Sequence, residues 1–364
     1  MKNWNIMKNR LLTATAATLL TGLVGPTHAA GFTAQSINSP GPAIRMNGND
    51  AVTGYFVAKC STINGYERFT YCYNAPWLFD GKGVTKLTSK FGSTANAQAV
   101  AINDSLELVG ADVNGAWFYS GGTVTRPGGT NTRLFAVNNN HVAVGMSTIS
   151  GAYQPVTYTN NASLASANLP GKTAVDINDA GMVTGWYTYT NPSNVQVQKS
   201  FVADGVDVID IPNLTDNSGA DINCRPVRIS QVNAATGQVW VAGNCAGNRT
   251  FLYEHTHRSL IELSYPGSSN LSVVSVNSQG VAVGTAVKPG AFAPDGYTAI
   301  LWPAGSTVNT IPIDLNANQA FAPASANGVA WNVHSTDIND AGTVLTGYND
   351  ISGNFYTFLL HPAP

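Results

Sequence analysis

The sequence predicts an all-β protein, a seven-bladed β-propeller with four-stranded blades. Three observations support this fold. A strand–turn–strand unit recurs seven times, each copy precedes an aromatic-rich hairpin, and the last repeat lacks one strand. The mean spacing is about 48 residues, close to the roughly 40–50 residues of a propeller blade. Two β-sandwich domains are the alternative, but seven similar units at fairly even spacing favour a closed ring.

The clearest copy of the repeat runs from Ile177 to Trp186 and reads INDAGMVTGW. Asn and Asp side chains hydrogen-bond to nearby backbone and Gly accepts positive φ, so this stretch predicts a tight turn between two strands. We align the copies on their Asn residues, which are Asn47, Asn103, Asn138, Asn178, Asn233, Asn277 and Asn339. A Gly closes each copy, and the turns at Asn233 and Asn339 are longer than the other five.

The two ends of the mature chain complement each other. The last repeat ends at Pro364 after its third strand, whereas a spare strand from Phe32 to Ile37 precedes the first repeat. We expect this N-terminal strand to complete the last blade and close the ring, because an open sheet edge would otherwise remain.

Residues 1–29 predict a secretory signal peptide, and residues 30–364 a single propeller domain. A basic start that ends at Arg10 precedes an uncharged apolar run, residues 11–24, and small residues follow up to Ala29. The apolar run is shorter than the roughly 20 residues of a membrane span. We expect a secreted or periplasmic protein that is monomeric and has no membrane span after removal of the signal.

Four cysteines in an exported chain predict disulfides, and three pairings are possible. The repeat favours Cys60–Cys72 and Cys224–Cys245, because each pair then lies across one hairpin, where paired strands bring side chains close. Metal binding by these cysteines is the alternative, but the chain has no close CxxC pair.

The composition indicates an uncharged polar surface. Only 10% of residues are charged and the net charge is -2, which argues against a nucleic-acid partner because such partners require a basic face. A hydrophobic fraction of 44% argues against disorder. A surface of Asn, Thr, Ser and Gly suits a neutral glycan or another protein.

The repeat, an I-N-x-x-G segment followed by Gly and an aromatic-rich strand, resembles the bacterial extracellular repeat proteins of the HAF family. The resemblance covers nearly the whole mature chain and implies a propeller-like array of repeats. The His of the family's His-Ala-Phe segment is missing, since residues 199–201 and 299–301 read KSF and AIL. The resemblance therefore implies no catalytic residue.

His255 and His257 are candidate metal ligands. Residues two apart on a strand face the same side, so both imidazoles can share one ion; the alternative is a pair of surface histidines in a hairpin turn. Asp104, Asp179 and Asp340, on equivalent turns, can converge to bind calcium or act as acids; the alternative is that Asp stabilises the turn. We expect no cofactor, with calcium as the alternative.

The insertion before the last repeat, residues 316–334, is the candidate ligand-binding loop. It carries Phe321, Trp331, Asn332 and His334, and loops longer than about 12–15 residues are often functional. Residues 187–198 are a lesser candidate. The chain has no G-x-S-x-G elbow, P-loop or dinucleotide fingerprint.

We therefore expect a secreted binding or interaction protein for a glycan or a surface protein. The alternative is a secreted hydrolase or lyase that acts on an extracellular polymer.

Overall fold

The computed structural model describes residues 31–64, 68–92, 95–160, 163–171, 173–191, 194–268, 270–288, 290, 296–317, 331–349 and 354–363. These residues form seven four-stranded antiparallel sheets, one short helix and one 3-10 turn. The prediction of a seven-bladed propeller with four-stranded blades is confirmed. The predicted signal peptide lies outside the described residues. Within the described part of the chain, no helix has the length and apolar character needed to cross a membrane.

The strands follow the repeats in order. The first strand, β1 (Phe32–Ile37), belongs to the last blade. Blade one contains β2 (Ala43–Met46), β3 (Val52–Asn64), β4 (Arg68–Phe79) and β5 (Val84–Lys86), and the helix α1 (Thr88–Phe91) follows it. Blade two contains β6 (Gln98–Ile102), β7 (Leu108–Asp112), β8 (Gly115–Ser120) and β9 (Thr123–Thr125). Blade three contains β10 (Arg133–Val137), β11 (Val142–Ile149), β12 (Ala152–Thr159) and β13 (Ala165–Ser166).

The second half of the ring has the same plan. Blade four contains β14 (Thr173–Ile177), β15 (Val183–Thr190), β16 (Gln196–Ala203) and β17 (Val208–Asp210). Blade five contains β18 (Cys224–Ile229), β19 (Trp240–Cys245), β20 (Arg249–Glu254) and β21 (Ser259–Leu263). Blade six contains β22 (Leu271–Val276), β23 (Ala282–Val287), β24 (Tyr297–Trp302) and β25 (Ile313–Asp314), followed by the 3-10 turn Leu315–Ala317. Blade seven contains β26 (Trp331–Ile338), β27 (Val344–Asn349), β28 (Phe355–Pro362) and β1.

Strand β1 closes the ring as predicted. It pairs antiparallel with β28, from Phe32 opposite Pro362 to Ile37 opposite Thr357. The buried side chain of Ile37 joins a hydrophobic cluster that contains residues of blades seven and one. Ser39 Oγ lies 2.8 Å from Thr357 Oγ1 just beyond the strand. The two ends of the chain therefore build one blade between them.

The hydrophobic core lies between neighbouring blades. Trp77, Trp117 and Trp302 are completely buried, and each belongs to a cluster formed by adjacent sheets. Their role is the packing of one blade against the next. Because loss of a buried aromatic side chain costs about 3–5 kcal/mol, these contacts are among the largest that hold the ring together.

A β-bulge interrupts the first hairpin of every blade. In blade four the pairing shifts between Ala174 and Asp176, and the closing Gly185 pairs with Ala174. A Cβ atom at Gly185 would lie 2.3 Å from Thr173 O and 2.6 Å from Phe201 Cζ. The closing Gly is thus required because the bulged strand and an aromatic ring both approach its backbone.

The structure corrects the repeat in blade five, where Ser230, and not Asn233, occupies the position of the turn Asn. The Ser230 N–H donates to Trp240 O and Ser230 Oγ accepts from the Trp240 N–H. These are the contacts that Asn178 makes with Met182 in blade four. The alignment on Asn233 was wrong by three residues because Ser replaces Asn in this copy.

Both predicted disulfides are present. Cys60–Cys72 joins β3 to β4 and Cys224–Cys245 joins β18 to β19, each between directly paired residues. The Cα atoms are 4.1 Å and 4.0 Å apart. The bond in blade one lies at the surface, whereas both cysteines of blade five are buried.

Candidate functional site

The turns of the repeat meet around the propeller axis and hold one another. Asn178 Oδ1 accepts from the Met182 N–H within its own turn, and Asn178 Nδ2 donates to Ser230 O of the next blade at 3.0 Å. The same step to the next turn is made by Asn47, Asn103, Asn138, Asn277 and Asn339. Between blades five and six Asn233 Nδ2 donates to Ser278 O. Side-chain amides thus link all seven turns in a ring.

The residue after the Asn forms a second set of links. Its side-chain oxygen accepts the N–H of the equivalent residue in the preceding blade. Five residues act in this way, each at 2.8 Å: Asp104 for Gly48, Asn139 for Asp104, Asp179 for Asn139, Gln231 for Asp179 and Asp340 for Ser278. The carboxylates therefore do stabilise turns, but the turns belong to the neighbouring blade. This is a correction to the expectation of stabilisation within one turn.

Hydrogen bonds within the protein compete with calcium for the oxygens of these carboxylates. Asn139 Nδ2 donates to Asp104 Oδ2 and to Asp179 Oδ2, both at 2.9 Å, so all four carboxylate oxygens of these two residues already accept hydrogen bonds. In the described ranges, no group of three or more His, Cys, Asp or Glu side chains is arranged to hold a metal ion.

His255 and His257 lie in the turn between β20 and β21, beyond the end of the strand, so the argument for a shared strand face does not apply to them. His257 Nδ1 is 2.6 Å from Glu254 Oε2, and its side chain is 70% exposed. Burial lowers the pKa of His255. A metal site at these two histidines stays a prediction.

The candidate ligand loop is placed differently from the prediction. Trp331, Asn332 and His334 belong to β26, the innermost strand of blade seven, and not to a loop. The His334 carbonyl accepts from Thr346 Oγ1 at 2.8 Å. Phe321 lies outside the described residues. The strand was missed because the repeat pattern was read only from the residues next to Asn339. Ligand binding by these four residues stays a prediction.

Two tyrosines of the lesser candidate segment are tied to acids. Tyr187 O–H donates to Asp210 Oδ2 at 2.8 Å and Tyr189 O–H donates to Asp221 Oδ2 at 2.5 Å. Burial, followed by the bond to Asp210, raises the pKa of Tyr187 to about 12. The bond to Asp221 is the main cause that raises the pKa of Tyr189 to about 12. Both hydroxyls therefore stay protonated donors.

A cluster of four charged side chains, Arg45, Asp176, Arg228 and Asp337, lies on the axis beneath the turns. We call it the axial cluster; its members come from blades one, four, five and seven. Each is the residue that follows the β-bulge in the first strand of its blade. The sequence carried a signal for it, because three of the four are charged residues that stand two positions before a turn Asn.

Asp337 is the centre of the axial cluster and is completely buried. Its two oxygens lie 3.2 Å and 3.1 Å from Arg228 Nη2. Asp337 also accepts from the Met46 N–H at 3.0 Å and from Ser275 Oγ at 2.6 Å. One carboxylate thus joins blades one, five, six and seven.

The pKa values of the two arginines shift in opposite directions. Burial lowers the pKa of Arg228, but the carboxylates of Asp337 and Asp176 outweigh it and hold this pKa above its usual value. Burial and the charge of Arg228 lower the pKa of Arg45. Arg45 Nη1 is 3.9 Å from Asp337 Oδ1, and its buried Nε has no hydrogen-bond partner in the described part of the chain. Two positive and two negative charges make the cluster neutral overall.

A cavity of about 200 Å³ opens from the axial cluster to the face that carries the turns. Asp176 and Arg228 line its inner end, and Asp104, Asp179 and Asp340 line its mouth. Among the described residues, no aromatic side chain lines it. Ligand pockets usually have roughly 300–1,000 Å³, so this cavity suits one end of a ligand rather than a polymer that passes through.

The two carboxylates of the axial cluster differ in the number of hydrogen bonds that they accept. Asp337 already accepts four or more hydrogen bonds. Asp176 Oδ2 accepts from the Ile229 N–H at 2.9 Å, whereas Asp176 Oδ1 has no hydrogen-bond partner in the described ranges. Hydrolysis of a glycosidic bond uses two carboxyl groups on either side of it. Among the described residues, the cavity thus has one open carboxylate oxygen at its inner end, Asp176 Oδ1, and another at its mouth, Asp340 Oδ2.

No protein-family model matches the chain, and no curated protein does either. The resemblance to the HAF family therefore stays a prediction. Solved structures of extracellular and enzymatic domains are similar in fold. The extracellular domain of a protein assigned as a hybrid two-component system in B. thetaiotaomicron has 13% identity and a TM-score of 0.49, over 91% of this chain and 39% of that one.

Two enzymes are also similar. Oligogalacturonate lyase from Vibrio parahaemolyticus has 9% identity and a TM-score of 0.46, over 91% of this chain and 96% of that one. Trypanosoma rangeli sialidase has 12% identity and a TM-score of 0.38, over 90% of this chain and 55% of that one. The chain thus spans about two fifths of that extracellular domain and about half of the sialidase. At such identities and TM-scores, these similarities carry no argument about function.

Proposed function

We propose that the protein is an exported binding protein that takes the polar end of a glycan into the axial cavity. The observation that carries this proposal is the state of the axial carboxylates. Asp337 is buried and accepts hydrogen bonds from its neighbours, whereas Asp176 Oδ1 has no hydrogen-bond partner among the described residues. An inner end with one open carboxylate and one adjacent guanidinium supports recognition by hydrogen bonds rather than two-carboxylate catalysis.

Export is part of the proposal. Two disulfides are typical of chains that fold in an oxidising compartment, so we place the protein in the periplasm or outside the cell. The glycan is preferred over a surface protein as ligand, because the volume of the cavity suits a sugar at a chain end. A protein ligand would instead use the broad face around the mouth.

The test combines a glycan array with hydrolysis assays on extracellular polymers, using residues 30–364 as purified protein. We expect glycan binding without turnover. Turnover that is lost in the Asp176→Asn variant would favour the alternative, a secreted hydrolase or lyase. Absence of any glycan ligand, together with capture of a surface protein, would overturn the glycan assignment.

A pair of variants locates the binding. Gln231 lines the mouth of the cavity, whereas Gln238 is on the same loop and does not line it. Gln231→Trp places a large side chain at the mouth and should abolish glycan binding, while Gln238→Trp should leave it unchanged. Equal binding by both variants would show that the ligand binds elsewhere.

A further inference from the structure

We infer that the axial cavity selects a neutral sugar by two adjacent hydroxyl groups, one held by Asp176 and the other by Arg228. This inference rests on the proposed glycan-binding function and names the ligand class of the same site. It follows from three features of the cavity: an open acceptor, an open donor beside it and the charges at the mouth.

The open acceptor is Asp176 Oδ1. The Asp176 side chain is only 4% exposed, yet it lines the cavity, and within the described residues its Oδ1 has no hydrogen-bond partner. This oxygen is not among the fully buried atoms without a partner, so it is reachable from the cavity. A ligand hydroxyl in the cavity can therefore donate to Oδ1, and the charge of the acceptor strengthens that hydrogen bond.

The open donor is the guanidinium of Arg228, which also lines the cavity. Arg228 Nη2 donates to Asp337. Arg228 Nε is 3.6 Å from Asp176 Oδ2, which is beyond ordinary hydrogen-bond length. Its Nη1 has no hydrogen-bond partner among the described residues. The guanidinium is planar and cannot turn while Asp337 holds one edge, so the remaining N–H groups have a fixed direction.

An acceptor and a donor on neighbouring strands, β14 and β18, therefore face one ligand. Adjacent hydroxyls of a sugar ring match this pair, because one can donate to the carboxylate while its neighbour accepts from the guanidinium. Hydrogen bonds with a charged partner are the stronger ones, so two of them give both affinity and a defined orientation.

The charges at the mouth favour a neutral sugar over an acidic one. The axial cluster is neutral overall, and Arg228 is the one cation among the described residues that line the cavity. Asp104, Asp179 and Asp340 stand at the mouth. A uronic acid would pass these three carboxylates and meet Asp176 at the inner end, and like charges at such distances repel.

The experiment measures affinity for matched oligosaccharides by titration calorimetry. The probes are galactan and galacturonan oligomers of equal length, together with the strongest neutral ligand from the array and its single-deoxy analogues. We expect neutral oligomers to bind at least about tenfold more tightly than their uronic counterparts. Removal of either of two adjacent hydroxyls should weaken binding by about tenfold.

Three variants separate this inference from the proposed function. Asp176→Asn keeps an oxygen for the Ile229 N–H but loses the charged acceptor, and it should weaken neutral-sugar binding about tenfold or more. Asp210→Asn, at the surface of the same blade, is the matched control and should bind like the parent protein. Asp104→Asn keeps the acceptor for the Gly48 N–H and should raise uronic-acid binding without changing that of the neutral oligomer.

The outcomes are distinct. Glycan binding that is unchanged in Asp176→Asn, or that is tighter for the uronic oligomer, would overturn this inference and leave the proposed function standing. Tighter binding of a chitosan oligomer than of its N-acetylated form would overturn the selection for a neutral sugar. If the parent protein binds no glycan at all, both fail.

Discussion

Replacement of Asp337 by Ala should be among the most damaging single changes in the chain. Asp337 is completely buried, and its carboxylate is the counter-charge of Arg228 and Arg45 at the axis. The variant leaves two buried guanidinium groups with Asp176 as the only acid of the cluster. It also leaves the Met46 N–H and the Ser275 hydroxyl without their acceptor.

The magnitude follows from these contacts. Removal of one partner from a buried ion pair costs about 3–5 kcal/mol, and each buried donor left unpaired costs about 1–3 kcal/mol. The contributions overlap, so we expect a loss of at least about 4 kcal/mol in the free energy of unfolding. Because a folded domain is stable by only about 5–15 kcal/mol, this loss is a large fraction of the total.

The assay is urea unfolding followed by tryptophan fluorescence. With an m-value of about 3 kcal/mol/M, the midpoint should fall by about 1.3 M or more. Asp207→Ala is the control, since the Asp207 side chain is exposed and makes no hydrogen bond or ion pair within the described residues; it should cost less than about 0.5 kcal/mol. A midpoint for Asp337→Ala within the range of this control would refute the assigned role of the axial cluster.

Three further predictions concern the fold. Gly185→Ala should lower the free energy of unfolding by about 3 kcal/mol or more, because its Cβ would overlap Thr173 O. Gly181→Ala is in open space at φ +79° and should lower it by about 1–2 kcal/mol. The reverse order in thermal unfolding would contradict the argument from crowding at Gly185. Mild reduction should open the exposed disulfide of blade one first, and alkylation with mass spectrometry should find the buried disulfide of blade five intact. Burial raises the pKa of Glu254, but hydrogen bonds from His257 and Thr256 outweigh it and lower this pKa below its usual 4.5. This carboxylate therefore adds stability that is fully present above about pH 4.5 and is lost as the pH falls through the folded-state pKa. The Glu254→Gln variant should show a weaker loss of melting temperature below pH 4.5, and an unchanged pH profile would contradict this.

The repeat predicted the blades, the ring closure and both disulfides, because all of them follow from the order of short strands along the chain. It did not predict the partners of the Asp side chains, since these partners lie in neighbouring turns that are 35 to 62 residues away in sequence. The position of Ser230 was also hidden, because the turn conformation persists when Ser replaces Asn.

The sequence did not predict the axial cluster, for a related reason. Strand alternation predicts which residues share a face only while pairing is regular, and a β-bulge breaks that alternation in the first strand of every blade. Asp176 and Asp337 could therefore be recognised as charged residues just before a turn Asn, but their meeting at the axis depends on the ring. Their partners Arg45 and Arg228 come from other blades.

The pairing of β1 with β28 fixes the order in which this molecule can be assembled. Among the described strands β1 is synthesised first and its partner β28 last, so the ring cannot close before residues 355–362 have been made. Until then β1 is an unpaired strand, and an unpaired strand invites association with other chains. Its short sequence FTAQSI has Thr33, Gln35 and Ser36 among its six residues. These polar side chains favour the solvated state of the strand until it pairs.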